Sequence, residues 1–340
     1  MADVNVNFPP SASPVRGVRA GDMEAAITQV KEDVEGQVAD VTNNLGVISN
    51  SVGVSVESYS NLKVAVANGY DWTPAITQAI NTAGVGGKII LPKGNIYTSL
   101  PISLLSNMQM DGQGRDSTFI IPLFSNGNVV ESKTTIRYKT FARDFSIKPA
   151  TYQRELIGVN FKYWQYGSVE RVDVFNCGVG FDFDGTIGCY YNKASQVRAV
   201  SCAYGFRTKR DDDLNGRANA NTVDDAVILS PIIGVLHDSG NTNIFNNIKV
   251  ESLPSAAPVP EVDPFGVTKT AADRWVLKLS KGTAGRFTMF RAEFDGNLVD
   301  LANTYANFLD DFYCNYNGVK GSFITLQETP SSAWQTNNLR

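Results

Sequence analysis

The chain has 340 residues, of which 43% are hydrophobic and 19% charged, with 30 Lys plus Arg against 34 Asp plus Glu. That apolar content at a net charge of −4 excludes a largely disordered chain and offers no cationic excess for nucleic acid or an anionic membrane. No run reaches the roughly 18 apolar residues of a membrane span. The start, MADVNVNFPPSASPV, lacks the basic-then-apolar pattern of a cleavable secretion signal.

Residues 1–20 carry Pro9, Pro10 and Pro14 among small and polar residues, which predicts an extended arm. Residues 21–57 change texture. Ile27, Val30, Val34, Val38, Val41, Leu45, Ile48 and Val52 recur every three or four residues without an intervening proline. This spacing predicts a coiled-coil seam, and β-branched seam residues lean towards three strands. An amphipathic helix packed on a core is the other reading, and Gly36 and Gly46 weaken the helix by about 1 kcal/mol each. Residues 58–70 are expected to be a linker.

From residue 70 onward the sequence consists of short β-rich runs broken by Gly, Asn and Asp. Gly158-Val159-Asn160-Phe161, Gly180-Phe181-Asp182-Phe183, Gly205-Phe206-Arg207-Thr208 and Gly234-Val235-Leu236-His237 follow one another at 22, 25 and 29 residues. Strands recurring at such a period with no helical crossover predict a solenoid, specifically a parallel β-helix. Aligning Cys177 with Cys202 stacks Val172 and Val174 on Val197 and Ala199 as inward residues. It also places Asp173 beside Arg198 on the outer face, about 4.8 Å away along the axis.

Residues 70–116 add a more specific pattern. Asp71-Trp72-Thr73, the AITQAINTA helix, Gly86-Gly87, Leu91-Pro92-Lys93-Gly94 and Asp111-Gly112-Gln113-Gly114 resemble the first segment of the pectate-lyase-like, right-handed β-helix superfamily. A solenoid end exposes apolar side chains and unpaired backbone groups and needs a cap. Thr73 is expected to N-cap the helix with Pro74 at its first position, and Ile76 and Ile80 to close the barrel end. The expected layout is therefore mainly β. A helical coiled-coil stem of trimeric leaning is followed by cap and first rungs at 71–116 and a right-handed parallel β-helix body at 117–340.

An arm, a trimer-prone stem and a capped β-helix together resemble bacteriophage tail spikes and tail fibres. That resemblance implies a homotrimer in the virion tail, with residues 1–20 (Phe8, Pro9, Pro10, Val15 and Arg16) docked on a tail, baseplate or adaptor protein. It implies recognition of bacterial surface polysaccharide by the body during host adsorption. The alternatives are a polysaccharide depolymerase, hydrolase or lyase, on the same fold, and a structural adaptor carrying other fibres.

Chemistry in such a chain falls to carboxylates. His237 is the sole histidine, and Cys177, Cys189, Cys202 and Cys314 form no CxxC pair, so no metal or cofactor is expected. With Phe181 and Phe183 inward, Asp182 and Asp184 face outward about 7 Å apart at Cα. This suits an inverting pair of glycosidic carboxylates, or equally an ordinary polar strand face. Asp224-Asp225 faintly resembles the paired aspartates of polygalacturonases, but the accompanying Gly-His-Gly and Arg-Ile-Lys segments are absent. Strict alternation would also leave one member of that pair, and of Asp310-Asp311, inward or at a turn. Candidate glycan contacts are Tyr163, Trp164 and Tyr166, with Phe265 and Trp275 in or beside the Pro-rich insertion 252–273, because sugar C–H faces pack on aromatic rings. Packing is the competing role for these aromatics. Lys209 to Asn221 is expected to be a binding loop, a solvated turn or a contact between subunits, with DDDLNG (211–216) a weak calcium-loop candidate.

Overall fold

The computed structural model describes residues 28–32, 34–38, 53–132, 137–186, 188–209, 218–238, 240–252, 258–280, 285–294, 296–302, 307–314, 324–327 and 338–339. It divides into two units, Met1–Ser49 and Asn50–Arg340. In the first, residues 28–32 and 34–38 are helical, and the seam residues Val30, Val34 and Val38 are exposed within the single chain. The arm residues Phe8, Pro9, Pro10, Val15 and Arg16 lie outside the described residues, as do the calcium-loop candidate 211–216 and the rest of the seam up to Val52.

Parallel strands dominate the second unit. Among the described residues they form a long sheet of 15 strands, a second sheet of nine and a short third sheet of four. The middle rungs contribute to all three in turn, as Ser168–Phe175 to the long sheet, Cys177–Asp184 to the second and Cys189–Tyr190 to the third. The register is the one expected from the cysteine alignment, with Asp173 opposite Arg198 and Val174 opposite Ala199. Inward side chains stack along the axis, Phe161 on Phe183 with ring centroids at 4.5 Å and Phe181 on Phe206 at 5.0 Å. No helix among the described residues is long and apolar enough to cross a membrane.

The cap has the expected helix, Thr73–Ala83, with Ile76 and Ile80 buried. Its N-terminal hydrogen bond comes from elsewhere than expected. Trp72 holds the N-cap position, and the Asp71 carboxylate accepts from the Thr73 amide at 2.9 Å and from the Ser99 hydroxyl at 2.6 Å. Burial pushes the Asp71 pKa up, but these bonds outweigh it and hold the group below its ordinary value. Residues 58–70 are not a linker. Val56–Leu62 is a 3-10 helix and Val64–Val66 pairs antiparallel with Gly69–Asp71. Val56 is fully buried and the Tyr59 hydroxyl donates to Thr82 at 2.9 Å, so this segment belongs to the cap.

Two backbone devices shape the rungs. Every long-sheet strand from Phe141 onward that is seven or eight residues long holds one residue in the left-handed region at the same position. These are Asp144, Arg171, Gln196, Asp225, Asn247, Met289 and Asp311, with φ between 51° and 63°. The extra residue reverses the alternation. Asp224 and Asp225 therefore both lie on the outer face, as do Asp310 and Asp311, against the expectation from strict alternation. The second device is a column of buried asparagines at the corner entering the long sheet. Asn192 Oδ1 accepts from the Gly167 amide at 2.9 Å, Asn221 Oδ1 from the Asn192 amide at 3.0 Å, and Asn243 Oδ1 from the Asn221 amide at 3.0 Å. Each side-chain amide donates in turn to a carbonyl of its neighbouring rung, as Asn243 does to Ala218 at 2.7 Å. Corner donors that no strand can pair are thus satisfied in the interior.

Candidate functional site

The third-sheet corner, immediately before the asparagine column, carries an exposed aromatic pair. Gln165 is in register with Tyr190, so Tyr166 and Tyr191 fall one rung apart. Their rings are stacked, with centroids at 4.9 Å and planes 5° apart, and the residues remain 52% and 56% exposed. Both residues are left-handed, φ 55° and 58°, in a column with Lys139, Ala220 and Thr242. An aromatic residue adopts that conformation at a cost. Tight packing of the corner offsets it, since the Tyr166 amide donates to Tyr190 O at 3.0 Å and the Tyr191 amide to Asn219 O at 3.2 Å. The rings are therefore held outward by backbone that cannot rotate freely.

The other expected aromatics divide. Tyr163 is half-buried, with Lys162 Nζ 5.3 Å from its ring centroid. Trp164 is a core residue, not a glycan contact: it is fully buried with its ring edge-on to Phe161 at 5.0 Å. Left-handed turns at Tyr163 and Tyr166 break simple alternation across this cluster. Tyr191 was missed, although it lies 25 residues after Tyr166, the interval that also separates Cys177 from Cys202.

Asp182 and Asp184 flank inward Phe183 as expected, yet neither is a free carboxylate. Asp182 is fully buried and bound by both sides of the Arg207 guanidinium, Nε to Oδ1 at 2.9 Å and Nη2 to Oδ2 at 2.6 Å. Asp184 is buried and accepts from the Thr186 amide at 2.9 Å and from the Thr186 hydroxyl. The same strand column continues through Asn160, Leu236, Lys278 and Asp300, where Lys278 reaches Asp300 at 3.1 Å. It is a polar stripe whose charges neutralise one another across rungs.

The described part of the insertion, residues 258–273, lies against the outside of the second sheet. Val179, Tyr204, Ile233 and Leu236 form a small apolar cluster there with Tyr152, Val259 and Trp275. Trp275 is thus half-buried packing at a strand start, in register with Ile233. The Tyr152 hydroxyl donates to Val262 O at 2.6 Å, and Asp263 Oδ1 accepts from the Phe265 and Val267 amides at 2.9 Å each. This clamp leaves Phe265 exposed at the tip of its turn. Separately, a cleft of about 540 Å³ lies between the cap helix and Ile102–Leu104, lined by Ile76, Ile80, Leu100, Pro101, Ser103 and Glu131 among others; it includes none of the expected site residues.

The buried cysteines and His237 are core groups. Burial pushes the Cys177 and Cys189 thiols up, with Cys202 as a hydrogen-bond partner of Cys177. His237 is fully buried, edge-on to Phe287 at 5.5 Å, with Asn243 Nδ2 3.3 Å from its Nε2. Burial takes its pKa down from 6.5 to about 4. The unfolded chain binds a proton below pH 6.5 that the folded chain refuses until about pH 4. The contribution of neutral His237 is therefore complete above 6.5 and is lost as pH falls through that window. The loss amounts to about 3 kcal/mol. Denaturant unfolding at pH 7.5 and 4.5 checks this: His237→Leu, in register with Leu279, should lose less stability between the two than the unaltered chain.

No protein-family model matches the chain, and no curated protein matches its sequence. Solved structures do resemble it. ORF18 of Geobacillus virus E2 is 18% identical over 85% of this chain and 62% of that one, with a TM-score of 0.48. The catalytic unit of a GH87 alpha-1,3-glucanase from Streptomyces thermodiastaticus is 12% identical over 84% of this chain and 69% of that one, TM-score 0.41. Tailspike protein 3 of bacteriophage CBA120 is 10% identical over 84% of this chain and 62% of that one, TM-score 0.33. The chain thus spans 62% of the length of each of these two viral structures.

Proposed function

We propose that this chain is a tail spike or tail fibre protein that recognises bacterial surface polysaccharide during adsorption, anchored to the tail by its first 20 residues and trimerised by residues 21–57. The observation that carries the binding role is the Tyr166–Tyr191 stack, two parallel exposed rings on a rigid corner. Sugar rings present C–H faces that pack on such surfaces, and a preformed platform binds without an ordering cost. Binding without cleavage is favoured because Asp182 is committed to Arg207 and Asp184 to Thr186.

The test is binding to a panel of purified capsular and lipopolysaccharide glycans, followed by sizing of the polymer. At least one glycan is expected to bind with unchanged chain length, and Tyr166→Ala with Tyr191→Ala should weaken that binding by about tenfold or more, as each ring contributes about a kcal/mol. Shortened polymer would point to the depolymerase instead. Equal binding by the doubly altered chain would overturn the tyrosine corner as the contact surface.

A further inference from the structure

The second sheet is one strand short at its cap end. The long sheet continues past Gly94–Thr98 to Gly69–Asp71 and Val64–Val66. The second sheet stops at Ile102–Leu104, which pairs with Asn126–Ser132 on one side and, among the described residues, with no strand on the other. Along the chain, Ile102–Leu104 follows the long-sheet strand Gly94–Thr98, and Asn126–Ser132 follows Thr118–Pro122. After Gly69–Asp71 the chain enters the helix Thr73–Ala83 instead. The cleft of about 540 Å³ between that helix and Ile102–Leu104 therefore lies where one more second-sheet strand would run.

A sheet edge presents backbone donors and acceptors that pair with an added extended chain. Such a strand would continue the columns of the sheet. Ile102 and Leu104 are buried, while Ser103 between them is half-buried on the outer face, in register with Glu131. Added side chains beside Ile102 and Leu104 would point inward, towards the apolar wall of Ile76 and Ile80. Thr98 also lines the cleft; it is fully buried and its hydroxyl has no hydrogen-bond partner among the described residues. The added side chain beside Ser103 would point outward, with Glu131 two strands away, roughly 10 Å at Cα. Glu131 is the one charged residue among the described lining. Its Oε1 accepts from the Ser103 hydroxyl at 3.1 Å and its Oε2 from the Asn128 side-chain amide at 2.6 Å, and it makes no ion pair among the described residues. Serine is short enough for a lysine or arginine stem to cross it and bring a cation to that carboxylate.

We infer that this cleft takes an extended segment of a partner protein, added as a strand to Ile102–Leu104, with aliphatic and basic side chains alternating. The free edge selects a polypeptide in strand conformation. The buried isoleucines on one face and Glu131 on the other select the alternation and its charge. An acidic segment would bring a like charge to Glu131, and a saccharide would find no aromatic ring among the described lining to stack on. The inference does not depend on the glycan reading, since the tyrosine corner lies on a different sheet.

The experiment titrates the full chain with acetyl-Val-Lys-Val-Lys-Val-amide by isothermal calorimetry. The Val-Glu-Val-Glu-Val counterpart and two further lysine peptides, methylated at every valine nitrogen or at every lysine nitrogen, are titrated beside it. Saturable binding of the lysine peptide is expected, with affinity at least tenfold lower for the glutamate peptide. One of the two methylated peptides is also expected to bind at least tenfold more weakly, because its edge-facing donors are removed. Glu131→Gln, with circular dichroism confirming its fold, should bring the lysine and glutamate peptides within about threefold of each other. No saturable binding of the lysine peptide, undiminished binding of both methylated peptides, or a full preference for lysine retained by Glu131→Gln each overturns the proposal.

Discussion

Replacing Asp182 by alanine is expected to destabilise the β-helix by about 3–5 kcal/mol, the cost of leaving a buried cation without its counter-ion. Arg207 is held almost entirely out of water and spends two of its donors on Asp182, at 2.9 and 2.6 Å. Its neighbour on the next rung is Leu236, which offers no acceptor side chain. The double change Asp182→Leu with Arg207→Leu should cost much less, because it continues the Leu236 column and leaves no orphaned charge. Denaturant midpoints of the two variants and the unaltered chain check this. The comparison also guards a functional experiment: any loss of glycan processing in Asp182→Ala alone would report unfolding rather than missing chemistry.

Gly205→Val should be similarly disruptive, by about 3 kcal/mol, at the upper end of overpacking costs. A Cβ at Gly205 would sit 2.7 Å from Gly234 O and 2.7 Å from Ile228 Cγ2. Gly180 and Gly158 meet the same obstacles one and two rungs away: the next glycine's carbonyl at 2.7 Å in each case, and Ala199 at 3.0 Å or Val174 at 2.4 Å. Along this column a Cβ meets a long-sheet side chain on one side and the next rung's carbonyl on the other, and that backbone cannot yield as a side chain could. Gly205→Ala is expected to lose less than valine, and thermal unfolding of both variants measures the difference.

The glycines, the cysteine interval and the alternation of Val172 and Val174 were enough to read the solenoid and its 25-residue register from residues alone. The Asp173–Arg198 contact followed from that register without further information. The same interval pairs Asp182 with Arg207 and Tyr166 with Tyr191, so both were available to a reader who carried it through every column. What the residues do not announce is the left-handed backbone. Glycine and asparagine advertise it, whereas Gln196, Met289 and Tyr191 adopt it only because the rungs above and below impose it. Each such position flips the alternation. That is why alternation alone does not say which of Tyr163, Trp164 and Tyr166 is the buried one, and why it places Asp224 and Asp225 on opposite faces.

The asparagine column bears on how the chain acquires its structure. The Gly167 amide is satisfied by Asn192, that of Asn192 by Asn221, and that of Asn221 by Asn243. Each of these three rungs thus presents one open donor at its growing face, and the following rung closes it. Assembly that starts at the cap is then templated, each turn creating the acceptor demand that orders the next. The interactions involved span only 25, 29 and 22 residues, so little loop-closure entropy opposes each addition. Pulse-labelling hydrogen exchange would register this as protection spreading from Asn192 towards Asn243 rather than appearing everywhere at once.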